Sequence, residues 1–213
     1  YIGEDDIRYL HTAMEKTIRA INIRDVHMDN DRLPYEGFKR MDNLRHIILP
    51  KSLKTIGGKC FKDLHLISPI IIPEGVTYIE GWAFFDCDAE IVMPHTLEHI
   101  GALGFKSSKL RGELILTDNL KIIEGGAFND ASGLYGTFYM PQKIEHLGEN
   151  AFCGLGNNLV GDIVIPQSMT HIPGGAFRLN FAPSGTNLIL HDGVVSIGDS
   201  AFANTRIRNI IDW

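Results

Sequence analysis

Apolar positions along this chain fall in a recurring order: a pair two residues apart, a pair three apart, then a small residue followed by Phe. The first pair, at Phe minus 14 and minus 12, reads Ile47/Leu49, Ile70/Ile72, Ile91/Met93, Leu114/Leu116, Phe138/Met140, Ile163/Ile165 and Leu188/Leu190. A period of two predicts a strand with one buried face. The second pair, at Phe minus 8 and minus 5, reads Leu53/Ile56, Val76/Ile79, Leu97/Ile100, Leu120/Ile123, Ile144/Leu147, Met169/Ile172 and Val194/Ile197. It predicts a second short strand on the opposite wall. The unit closes at Phe61, Phe84, Phe105, Phe128, Phe152, Phe177 and Phe202, spaced by 23, 21, 23, 24, 25 and 25 residues. Seven copies at so regular a period predict a stacked solenoid.

The period divides unequally. Eleven residues before each Phe stands Pro50, Pro73, Pro94, Thr117, Pro141, Pro166 or His191, and this distance is constant. From each Phe to the next such position the count is 12, 10, 12, 13, 14 and 14. Stacked strands resist insertion and surface turns accept it, so packing fixes one half and the other drifts. Proline lacks an N–H and interrupts a ladder, which places the end of the first strand there. Gly57, Gly101, Gly148 and Gly198 follow the second strand, where a residue tolerant of unusual φ turns the chain. The small residues Cys60, Ala83, Gly104, Ala127, Ala151, Ala176 and Ala201 leave room for the Phe rings to stack as a spine.

Both ends depart from the pattern. Glu4, Asp5 and Asp6 precede Ile7, Leu10 and Met14, with Lys16 and Arg19 beyond, which predicts a short amphipathic capping helix. Ile18, Ile21 and Ile23, then Leu33 and Phe38, match a degenerate first coil, in which Arg24 holds the proline position. The organisation expected is an N-terminal cap over 1–43, seven repeats over 44–206 and a terminal strand over 207–213, in one continuous domain. In that strand Trp213 is placed to cover Phe202. The chain starts at Tyr1 rather than Met, so a leader removed upstream is one expectation.

Written out from Leu44 to Phe61, each copy is LxxIxLPxxLxxIGxxAF. This closely resembles the BspA-like leucine-rich repeats of bacterial surface proteins, over residues 44–202. The resemblance implies a leucine-rich-repeat solenoid, a right-handed β-rich coil with two short strands per repeat and a parallel sheet. It also implies a secreted or cell-surface protein engaged in adhesion or protein interaction. That family often carries Cys three residues after the Phe. Here only Cys87 does, with Leu64, Ser108, Ala131, Leu155, Asn180 and Thr205 in the other copies.

Composition narrows the partners. Twenty Lys and Arg against 26 Asp and Glu give a net charge of −6 and no basic stripe, which argues against nucleic acid. No apolar run approaches the length of a membrane-spanning helix. Cys60, Cys87 and Cys153 are odd in number and lack metal-ligand spacing, so they read as packing residues. Stretches such as Gly101-Ala102-Leu103-Gly104 are repeat turns without a phosphate-loop signature, and no nucleophile and base pattern stands out. No enzyme activity and no cofactor are therefore expected.

Three features could bear function. Between the two buried positions of the first strand, one residue per copy points outward: Ile48, Ile71, Val92, Ile115, Tyr139, Val164 and Ile189. Such an apolar stripe suits a face that binds protein or glycan, or that self-associates. The competing reading is β-propensity alone, in an array serving as a structural spacer with no ligand of its own. The lengthened turns Gly154 to Gly161 and Leu179 to Asn187 form a second candidate edge. Third, His99, His146 and His171 share the position Phe minus 6, and the last two stand in consecutive copies. Two imidazoles without a carboxylate in the same stripe fall short of a metal site, so solvated strand histidines are expected.

Overall fold

A computed structural model describes residues 17–107, 109–179 and 184–212. The capping helix expected before Lys16, and Ser108, Asn180 and Trp213, lie outside these residues. The chain winds as a solenoid of parallel strands with two walls and one continuous core between them. The back wall carries the more regular sheet. Six two-residue strands, Arg32–Leu33, Thr55–Ile56, Tyr78–Ile79, His99–Ile100, Ile122–Ile123 and His146–Leu147, pair in register, coil upon coil. Each sets its Ile or Leu inward and its other residue outward, as the alternation of a strand requires. His171–Ile172 and Ser196–Ile197 pair separately.

The phenylalanines form the predicted spine. From Phe38 to Phe202 successive ring centroids lie 5.4, 5.0, 5.1, 5.2, 5.6, 5.8 and 5.3 Å apart, and all seven pairs are stacked. The backbone fixes this register. Each Phe N–H donates to the carbonyl of the small residue one coil on, as from Phe61 to Ala83 at 2.8 Å and from Phe105 to Ala127 at 2.7 Å. The small residue thus supplies both space and an acceptor. Phe38, in the degenerate coil, joins the stack with Leu33 fully buried beside it.

The glycines after the second strand serve a purpose other than the one expected. Gly57, Gly101, Gly148 and Gly198 do not take positive φ; they lie against the backbone of the preceding coil. A Cβ on Gly57 would stand 2.3 Å from the Leu33 carbonyl oxygen, and one on Gly148 2.3 Å from the Gly125 nitrogen. Left-handed backbone falls instead on two positions flanking the Phe. Two residues before it, Glu36, Lys59, Trp82, Leu103, Gly126, Asn150, Gly175 and Ser200 have φ between 55° and 65°. Two residues after it, Arg40, Asp63, Asp86, Asp130, Gly154, Leu179 and Asn204 are also left-handed, and in the fourth coil Ser107 departs. A non-glycine residue held there stores about 1 kcal/mol. Ser200 is exposed, so Ser200→Gly is expected to raise unfolding free energy by about 0.7 kcal/mol and Ser200→Val to lower it by about 1 kcal/mol. Paired denaturant melts check the sign; a loss with glycine would contradict the assignment of strain.

The first wall is less regular than its sequence pattern. In the fifth and sixth coils the ladder falls at Arg111–Glu113 and Gly133–Thr137, before the apolar pairs that were expected to form it. Gly112 and Gly133 explain the shift, because a Cβ on either would come within 2.2 Å of a carbonyl oxygen of the coil before. Leu114, Leu116, Phe138 and Met140 still point inward and are buried. At the far end Ile197 and Ile210 are exposed by 51% and 67%, while the strand Ile207–Asp212 pairs with Thr186–Leu190.

Candidate interaction surface

The first wall is where the outward stripe lies. Inward Ile47 and Leu49 fix Ile48 outward, and Ile70 and Ile72 do the same for Ile71. Ile48, Ile71, Val92 and Tyr139 are exposed, Ile71 most of all at 64%. Ile115, Val164 and Ile189 are half-buried, and Ile115 packs on the core. The stripe is therefore concentrated toward the N-terminal coils.

The wall is also interrupted. His46–Ile48 pairs with Ala20–Asn22 of the coil before, and Ile70–Ile71 pairs with Ile91–Val92 of the coil after. The two pairs belong to separate sheets, with no ladder joining His46–Ile48 to Ile70–Ile71. Pro69 supplies the reason. It occupies the place that His46 holds one coil earlier, where the His46 N–H donates to the Arg19 carbonyl at 3.1 Å. Proline has no such donor, and Ile67 and Ser68 tie this corner back instead, both donating to the Arg45 carbonyl.

Over this break lies a groove of about 720 Å³. Ile48, Ile71, Pro69 and Pro73 give it an apolar floor, and Arg24, His46, Lys51, Ser68 and Glu74 stand at its rim. Its charges are unequally engaged. The Glu74 carboxylate accepts from the His95 backbone N–H at 3.0 Å and lies 2.9 Å from the His95 ring Nδ1. Lys51 meets Asp25 at 3.3 Å, with both side chains mostly in solvent. The Arg24 guanidinium makes no hydrogen bond or ion pair among the described residues.

Further along the stripe, Tyr139 donates its hydroxyl to Asp118 Oδ1 at 2.9 Å, and the Gln142 N–H donates to the same oxygen at 2.8 Å. These two donors, the backbone one foremost, hold the Asp118 carboxyl below the usual carboxylate range. Partial burial, reinforced by that carboxylate, raises the Tyr139 phenol.

The other features singled out in the sequence are spread over the solenoid. His99 Nε2 lies 2.8 Å from Glu124, His146 ends the six-stranded sheet, and His171 begins another. Among the described residues no group of three or more His, Cys, Asp or Glu converges as a metal site would need. In the first lengthened turn Leu159–Val160 pairs with Gly136–Thr137, so the insertion extends the ladder. Beside it a polar groove of about 570 Å³ is lined by Asp130, Ser132, Asn157, Asn204 and Arg206. The three cysteines are free and buried, and burial pushes each thiol up, away from the reactive thiolate.

Two features escaped the sequence reading. At Phe minus 4, where alternate coils carry Gly57, Gly101 and Gly148, the intervening coils carry Glu80 and Glu124. Glu80 accepts from the Gly58 N–H at 2.8 Å and receives Arg32 through Nε and Nη2 at 2.9 and 2.8 Å. Glu124 accepts likewise from the Ala102 N–H at 3.0 Å. The signal was a two-coil alternation of Gly and Glu, hidden when only the glycines are counted. The other is an aromatic pair at the Phe corner, Trp82 and Phe85, with centroids 4.6 Å apart and Lys62 5.0 Å over Phe85.

The model of the BspA type leucine rich repeat region matches six copies here, over residues 31–160 and 105–212. The chain belongs to this family. A leucine-rich repeat protein from Bacteroides ovatus is similar in structure, with 28% identity and a TM-score of 0.63 over 85% of this chain and 46% of that one. A leucine rich cell surface protein from Faecalibacterium prausnitzii shares the fold at 22% identity, with a TM-score of 0.51 over 97% of this chain and 62% of that one. The BspA-type array thus spans less than two thirds of either neighbour's length. No curated protein matches it. No described helix is long and apolar enough to cross a membrane.

Proposed function

We propose that this BspA-type array is a non-enzymatic interaction module, at the cell surface or secreted, that holds a protein or glycan ligand against its first wall. The observation that carries the reading is the apolar groove at Ile48 and Ile71. It pairs exposed aliphatic side chains with a charged rim, the arrangement of an interface rather than of a solvated face. A stacked array leaves broad surfaces outside its one-dimensional core, which suits recognition by several contacts at once. Support for the location comes from the family and from the cell-surface description of the Faecalibacterium neighbour.

The test is a binding screen of the chain against immobilised extracellular proteins and a glycan array, repeated with an Ile48→Lys/Ile71→Lys double variant. The expected result is a ligand whose signal falls by at least about tenfold in the variant while the melting curve is unchanged. A ligand held equally by both forms removes the first wall from consideration. No captured ligand, with the chain monomeric by ultracentrifugation, leaves the array as a spacer.

A further inference from the structure

We infer that the groove between the second and third coils takes an extended peptide segment of a partner protein, with neighbouring aliphatic side chains and an acidic residue. This rests on the interaction reading above and names the ligand class for one part of the first wall. The groove's volume of about 720 Å³ falls in the range that accommodates a few side chains and excludes a folded domain. Its floor is formed by Ile48, Pro69, Ile71 and Pro73, and no Phe, Tyr or Trp ring lines it. A sugar is recognised through convergent polar groups and ring faces, which this floor does not offer. Aliphatic side chains of an extended peptide would bury against it directly.

Charge selects the acidic member of the pair. Of the ionised groups at the rim, Glu74 is already engaged by His95, whereas the Arg24 guanidinium has no partner among the described residues. Lys51 stands beside it, 72% exposed and joined, among the described residues, only to the still more open Asp25. A carboxylate entering here meets an available guanidinium and a second cation, and a basic residue meets both as repulsion. The site exists because Pro69 breaks the ladder at this coil; in the seven copies proline stands fifteen residues before the Phe only here.

The test pans a displayed library of random peptides on the full chain, then measures the enriched peptides against Ile71→Lys, Arg24→Glu and Tyr139→Lys. Enriched sequences are expected to place Asp or Glu near paired Leu, Ile or Val. Ile71→Lys is expected to weaken them about thirtyfold, Arg24→Glu about tenfold, and Tyr139→Lys, three coils away, not measurably. Both groove substitutions lie at the surface, and melting curves matching the parent confirm that the fold is intact. Peptides lost with Tyr139→Lys but kept by Ile71→Lys overturn the groove and leave the first-wall reading standing. Peptides indifferent to all three variants overturn both. Basic peptides, or binding unchanged in Arg24→Glu, overturn the acidic partner. No enrichment, alongside a glycan whose binding Ile71→Lys abolishes, overturns the peptide in favour of a sugar.

Discussion

Replacing Phe128 by alanine is expected to lower the unfolding free energy by about 4 kcal/mol, the largest loss of any single truncation in the array. Its ring is fully buried and stacks on Phe105 at 5.2 Å and Phe152 at 5.6 Å. Truncation removes two ring contacts as well as buried area, and neighbours held by coil-to-coil hydrogen bonds cannot collapse into the hole. The position sharpens the expectation. A solenoid's stability is a sum over coils and their nearest-neighbour interfaces, and Phe128 sits mid-array. The denaturant melt followed by far-ultraviolet circular dichroism should therefore broaden or split, as the coils on either side lose their coupling. A loss below about 1.5 kcal/mol with one sharp transition would show that the stack relaxes around the missing ring.

The second large effect comes from a single added carbon. Gly148→Ala places a Cβ 2.3 Å from the Gly125 nitrogen and 2.6 Å from the Glu124 carbonyl carbon, both backbone atoms of the coil before. No side-chain rotation relieves such a contact, so the coils must part, at an expected cost of about 3 kcal/mol. Gly125 provides the comparison. A Cβ there would meet only the Glu149 carbonyl oxygen, at 3.5 Å, and its φ is not positive. Gly125→Ala is thus expected to change stability by less than about 0.5 kcal/mol. Equal effects at the two positions would mean that close approach is not what keeps Gly148 a glycine.

The contrast between these glycines shows how far repetition alone could be read. The motif LxxIxLPxxLxxIGxxAF marked the glycine column as special, but not why. Spacing along a chain carries no information about which backbone lies 2.3 Å away in the next coil. The left-handed positions on either side of the Phe were invisible for a related reason. They are filled by Lys59, Trp82, Leu103 and Ser200 as readily as by Gly126, because coil packing and forward hydrogen bonds override local preference.

The candidate surface was partly legible. Alternation correctly placed Ile48, Ile71, Val92 and Tyr139 outside, since a residue between two buried neighbours on a strand has nowhere else to point. It overstated the continuity of the stripe, because Ile115, Val164 and Ile189 are half-covered. Pro69 was in plain view, yet its effect depends on the donor it removes from a ladder to another coil.

By itself the sequence determined the solenoid, its register and its core. Seven repeats of one buried pattern leave only one way to bring the Phe spine and the inward Ile and Leu positions out of water together. The tertiary structure decided what the coils do to one another: which glycines face backbone, where Glu80 and Glu124 reach back across a coil, and where the first wall opens. Burial follows from each residue's own chemistry and so repeats with the sequence. A break in a ladder and the groove above it belong to pairs of coils, and they appear only once the coils are stacked.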